Sequence, residues 1–158
     1  MNPVIQIVTG ALGSLGFSIL FHIRGKKLVI TTLGGLISWS VFLLLEGWIP
    51  GEPMRYFLAM TAISVYAEIF ARIEKTPTTT FLVPSVIPLI PGSALYYTMN
   101  YALNEQWSAF IQKAFYTLEL AMALALGIIA VTTVTRLLTA VFRHRKKHTN
   151  ADHFHHSI

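Results

Sequence analysis

Cysteine is missing from this sequence and charge is scarce, and each shortage excludes something. Without cysteine there are no disulfides and no thiolate metal sites. Charged residues make up 12% of the 158 positions, against roughly 25% in soluble domains. Hydrophobic residues make up 54%, and the mean hydropathy is +0.59. The chain therefore reads as an integral membrane protein. Its length suits four or five spans of ~20 residues with short loops, and leaves no room for a separate soluble domain. No basic stretch precedes the first apolar run, so a retained span is expected there and not a cleaved signal peptide. The net charge of +5 comes mostly from a basic tail and one loop. Such a pattern sets topology and does not indicate nucleic-acid binding.

What is present divides into five apolar segments, at about 3–21, 28–48, 54–73, 81–101 and 110–142, with a basic, histidine-rich tail at 143–158. The expected fold is all-α, a polytopic helical bundle forming a single transmembrane domain over 1–142. Arg24, Lys26 and Lys27 follow the first segment, Arg72 and Lys75 the third, and Arg143, Arg145, Lys146 and Lys147 the fifth. The opposite loops hold little beyond Arg55 and Lys113. The positive-inside rule then places the N-terminus outside and the C-terminus in the cytoplasm of a prokaryotic plasma membrane. An odd number of crossings fits that assignment. The fourth segment is the unusual one, because it contains Pro84, Pro88, Pro91 and Gly92. Each proline removes a backbone donor and crowds the preceding turn. Broken membrane helices of this kind build substrate sites in many secondary transporters. Whether the segment crosses fully or re-enters is left open by the sequence.

Several residues stand out chemically. Glu119 lies about nine residues into the last segment, ~13 Å along a helix axis, where an acidic side chain costs ~2.5–3.5 kcal/mol to insert. It reads as a proton-coupling or substrate-contacting carboxylate, or as a protonated acid bonded to a neighbouring helix. Glu68 precedes Arg72 by one helical turn, the order that favours an ion pair; the pair is either structural or a gate. Thr78, Thr79 and Thr80 lead into the proline segment, where hydroxyls can satisfy freed backbone groups or hold a small polar substrate. A break at Pro91 and Gly92 would start a half-helix at Ser93, whose positive dipole end suits a carboxylate. Together with Pro88, these are the substrate-binding candidates. Gly10, Ser14 and Ser18 share one helical face, as do Gly34 with Ser38 and Ala123 with Gly127, a small-residue spacing that permits close helix contact within a bundle or an oligomer. His144, His148, His153, His155 and His156 sit in the tail with no scaffold to make a metal site, and a solvated, disordered tail is expected. The basic cluster from Arg143 to Lys147 suits anionic lipid. No nucleophile with a base and an orienting acid is apparent, so no enzyme, metal or cofactor is expected.

The order of local motifs resembles a known family. Phe17-Ser18-Ile19-Leu20-Phe21 precedes a basic loop, and Leu33-Gly34-Gly35-Leu36 follows in the second segment. Ala67-Glu68-Ile69-Phe70-Ala71-Arg72 leads to a Lys75-x-Pro77 turn, then Val83-Pro84 and Ile87-Pro88-Leu89-Ile90-Pro91-Gly92-Ser93-Ala94-Leu95-Tyr96. This succession, over roughly residues 4 to 135, is similar to the threonine/serine exporter family, in its small, split (YjjB-like) form. The resemblance implies export of small carboxylate metabolites, threonine and serine or succinate, together with a larger YjjP-like subunit. The expected function is thus one subunit of a two-component secondary exporter, coupled to protons through Glu119 or Glu68. The alternative is a non-transporting subunit that assembles or stabilises a larger membrane complex.

Overall fold

The computed structural model describes residues 2–155, with side-chain surroundings through Thr139. The tail histidines and basic residues therefore lie outside the described side chains. The structure is all-helical, with α1 (Pro3–Leu20), α2 (Lys26–Glu46), α3 (Glu52–Ile73), α4 (Thr79–Val86), a short 3-10 turn (Ile87–Leu89), α5 (Gly92–Leu103) and α6 (Trp107–His155). Among the described residues four helices are long and apolar enough to cross a membrane: α1, α2, α3 and the part of α6 from Trp107 to Thr139. A fifth crossing follows if the bent pair of α4 and α5 is counted as one span.

Local chemistry sets the helix ends. Asn2 caps α1, its side chain accepting from the Val4 amide at 3.0 Å, with Pro3 in the first turn where no amide is missed. Glu52 opens α3 and Arg72 closes it, each complementing the helix dipole at its own end. Three helices stop in the same way. His22, Lys75 and Glu105 take positive φ of 59°, 50° and 57°. The next amide then reaches back to Ser18, Ala71 and Tyr101 carbonyls at 2.9, 3.0 and 2.9 Å. That is the long bond of a Schellman motif, here held without glycine.

The prolines of the fourth segment do not act alike. Pro84 sits inside α4 without breaking it, since its missing N–H frees only the Thr80 carbonyl in the first turn of that helix. Pro88 lies in the 3-10 turn. The break comes at Ile90 and Pro91, where the chain becomes extended and the two halves bend by 60°.

Packing centres on α2, which contacts α1, α3 and α4, while α6 packs on α3 and α5. The small-residue faces make these contacts possible. A Cβ on Gly34 would collide with Ser85 of α4, and one on Gly35 with Ser14 of α1. Gly127 plays the same part between α6 and α3, where a Cβ would lie 2.8 Å from that of Met60. Gly10 meets Pro88 and Trp39 at ordinary contact distance, whereas Gly13 and Gly16 face open space. Polar bonds tie the same seams. Ser18 Oγ donates to Thr31 Oγ1 at 2.7 Å, Ser85 Oγ to the Thr31 carbonyl at 3.3 Å, and Tyr66 OH to the Ile30 carbonyl at 2.8 Å. The apolar core collects Phe42, Tyr56, Met60, Ile63, Leu89 and Leu120 from α2, α3, the 3-10 turn and α6.

Candidate functional site

The topology brings the end of α3, the start of α4 and the far part of α6 to one end of the bundle. A cavity of about 660 Å³ opens there. Glu68 and Arg72 line it from α3, Thr78, Thr79 and Leu82 from α4 and its cap, and Ile128, Thr132, Thr135, Arg136 and Thr139 from α6. Because α3 is helical through this stretch, Glu68 and Arg72 fall one turn apart and pair, Nε to Oε2 at 3.7 Å. That distance is an ion pair but too long for a good hydrogen bond. The other carboxylate oxygen accepts from Thr78 Oγ1 at 3.1 Å. Arg72 also donates to Thr139 Oγ1 at 3.2 Å, which links α3 to α6 across the cavity.

Burial in the pair is uneven. The Glu68 side chain is 17% exposed and that of Arg72 59%. The carboxylate is therefore fixed in the wall while the guanidinium can move. Arg136 brings a second guanidinium, and five threonines add hydroxyls that both donate and accept. The arrangement holds one anion, two cations and neutral donors around a water-accessible space, a set suited to a small polar molecule with charges of both signs. Among the described residues no three His, Asp or Glu cluster to hold a metal ion.

The opposite end is built differently. Arg55 lies over the Phe42 ring at 5.2 Å and pairs with Glu46 at 3.6 Å, its side chain only 13% exposed. Phe42 in turn packs on buried Tyr56 at 4.7 Å between centroids. Tyr116 donates its hydroxyl to Glu52, and Lys113 caps the Tyr116 ring at 4.5 Å. Acid, base and aromatic groups here pair with one another, although the buried Nε of Arg55 has no hydrogen-bond partner among the described residues.

The sequence candidates separate in space. Glu68, Arg72, Thr78 and Thr79 meet in the cavity. Thr80 points instead toward a smaller hollow beside Phe21, Ile23 and Pro84. Pro88 lines another with Gly10 and Trp39. Pro91 is buried at the break, Gly92 and Ser93 begin α5 on the exposed surface, and none of the three lines the cavity. Glu119 lies apart, in a groove between α3 and α6. The residues that sequence reasoning missed are Thr132, Thr135, Arg136 and Thr139. Their spacing of three, four and seven along α6 marks one helical face. That polar stripe in an otherwise apolar helix was the signal to look for.

Set against known proteins, the profile of the threonine/serine exporter, ThrE, matches residues 6–134. The chain belongs to the threonine/serine exporter family. Neither a curated protein nor a solved structure matches it. The family is one of membrane exporters, and the matched stretch covers α2, α3 and the broken pair whole, α1 from Gln6 and α6 as far as Val134.

Proposed function

We propose that this chain is the membrane subunit of a two-part secondary exporter in a prokaryotic plasma membrane, and that its cargo is a small α-amino acid such as threonine or serine. The observation that carries this reading is the pairing of charges in the α3–α4–α6 cavity. A zwitterion presents an ammonium and a carboxylate, and the cavity offers Glu68 to the first and Arg136 to the second. The long Arg72–Glu68 contact is the one a substrate ammonium displaces, which frees Arg72 to join Arg136 on the carboxylate. Threonine hydroxyls of α4 and α6 then receive the substrate side chain. The cavity sits at the end of the bundle where α2 starts with Lys26 and Lys27 and α3 ends with Arg72 before Lys75, so the positive-inside rule assigns it to the cytoplasmic side, where an exporter loads.

Glu68 is the coupling carboxylate in this scheme. Ionised, it holds the substrate ammonium; protonated, it releases it. Alternating access then requires the Glu46–Arg55 and Tyr116–Glu52 contacts at the far end to part while the cavity closes. Succinate, the dicarboxylate candidate, would use the two guanidiniums and be opposed by Glu68.

Efflux from cells preloaded with labelled threonine or succinate tests this, comparing this chain, a candidate larger subunit, and both. Threonine efflux only with both is expected. Glu68→Gln should lower it by about tenfold to a hundredfold, the worth of a hydrogen bond to a charged group, while sparing or raising any succinate flux. Efflux by the larger subunit alone would reduce this chain to an assembly role. Loss of succinate flux with Glu68→Gln would overturn the zwitterion assignment.

A further inference from the structure

Glu119 occupies a position that the cavity does not explain. It lies ~18 Å along α6 from Trp107 and ~26 Å from Arg136 at ~1.5 Å per residue, about one turn beyond Tyr116, whose hydroxyl meets Glu52 at the start of α3, so it sits within the apolar stretch but toward its closed end. It is exposed, and it has no hydrogen bond or ion pair among the described residues. Around it α3 and α6 form an open groove of about 750 Å³, walled by Met54, Phe57, Phe115, Met122 and Leu126. A carboxylate on the outward side of an apolar span normally finds a counter-charge or a donor.

The spacing along α6 adds to this. Gln112, Phe115, Glu119, Met122, Leu126, Ile129 and Thr133 alternate by three and four residues, and all are exposed. That is a heptad seam, the pattern that receives a second helix by knobs-into-holes packing, and one polar seam position is a known means of fixing partner and register. We propose that the α3–α6 groove docks a transmembrane helix of a different protein, one carrying a lysine or arginine at the depth of Glu119.

A second copy of this chain does not fit the charge. Copies related by a two-fold axis normal to the bilayer would set Glu119 against Glu119. The chain's described cations cluster toward the helix ends, and Lys113, the nearest along α6, is engaged over the Tyr116 ring. The required cation must therefore come from elsewhere. This inference names the face and the chemistry of the partner that the two-part reading invokes. Its test reads association alone, so it and the transport scheme can fail independently.

The absence of cysteine makes the test direct, since one introduced thiol can carry a dye. The full chain with Ser108→Cys, labelled and reconstituted in phosphatidylcholine vesicles, is mixed with acceptor-labelled leucine-rich membrane peptides. One peptide has lysine about two turns from the end of its leucine run and the other leucine there, with identical flanks. Energy transfer is expected to show about tenfold tighter association with the lysine peptide, in the range of a good interhelical polar contact. Glu119→Gln should erase that preference and Glu119→Asp keep it, with helix content unchanged by circular dichroism. Equal association of the two peptides, or a preference that survives Glu119→Gln, overturns the proposal. So does Glu119-dependent transfer between copies of the chain itself, which would make the occupant a second copy.

Discussion

The two ends of the bundle use similar residues to opposite effect. At one end Glu68, Arg72 and Arg136 line an open cavity, with a loose ion pair and hydroxyls facing water. At the other, Glu46, Glu52, Arg55, Lys113 and Tyr116 are closed on one another and on aromatic rings. Desolvation separates the two. Arg55, largely buried, needs Phe42 and Glu46 to offset lost hydration, so its contacts form a plug. Arg72 stays hydrated and loses little if its partner changes, so its contacts can exchange with a ligand. The described residues thus place a polar, water-accessible cavity at one end and paired, partly buried charges at the other. An alternating cycle has to invert that difference.

The strongest way to break the comparison is to measure water access at both ends. Thr135→Cys, in the cavity wall, and Tyr56→Cys, beneath the Arg55 plug, give single thiols in a chain that has none. A membrane-impermeant maleimide should label the Tyr56→Cys thiol on the order of 100-fold more slowly than the other, because the thiolate reacts and burial disfavours it. Saturating threonine should slow labelling at Thr135→Cys. Equal rates would mean that the two ends are equally open, and the contrast would fall.

A middle-sized effect sharpens the open end. Arg136→Gln removes a guanidinium that has no ion pair among the described residues, and should weaken threonine efflux about tenfold by removing a charged hydrogen bond. Arg136→Lys should restore only part of it, since lysine keeps the charge but not the planar fork. Full activity of Arg136→Gln, measured with the same preloaded cells, would move the carboxylate site elsewhere.

How much of this was legible follows from which forces act locally. Helix positions, the ion pair of Glu68 and Arg72, and the packing of Gly34 and Ser14 depend on spacing along single helices, which sequence displays directly. The proline segment was read correctly as broken, and the break suggested at Pro91 and Gly92 lies within a residue of the observed one; what the sequence did not show is which of the other prolines a helix absorbs. Pro84 is absorbed by α4 while Pro91 is not, and that depends on the extended backbone at Ile90. The cavity was only half visible in the sequence. Thr78 and Thr79 were named, yet their partners Thr135, Arg136 and Thr139 come from α6, and only the packing of α6 against α3 joins them. Gly92 and Ser93 are the reverse case. The start of a half-helix suggested an anion site, but what surrounds that start is a tertiary property, and neither residue lines the cavity. Glu119 drew attention for its depth; its outward aim could not be read from a helix whose inner face was unknown.

The smallest expected effect lies at the closed end and sharpens the comparison most finely. Tyr116→Phe keeps the ring beneath Lys113 and removes only the hydroxyl that Glu52 accepts. If the plug is held mainly by charge and aromatic packing, this single hydrogen bond contributes about 1 kcal/mol, a severalfold change in an opening equilibrium. The Tyr56→Cys thiol should then label only a few times faster in a Tyr116→Phe background. Arg55→Met, which strips Glu46 and Phe42 of their cation together, should have the larger effect of the two. The reverse order would place the latch on α6 at the Tyr116–Glu52 contact. The part that opens would then be α6 moving from α3, the same seam that bounds the cavity at the other end.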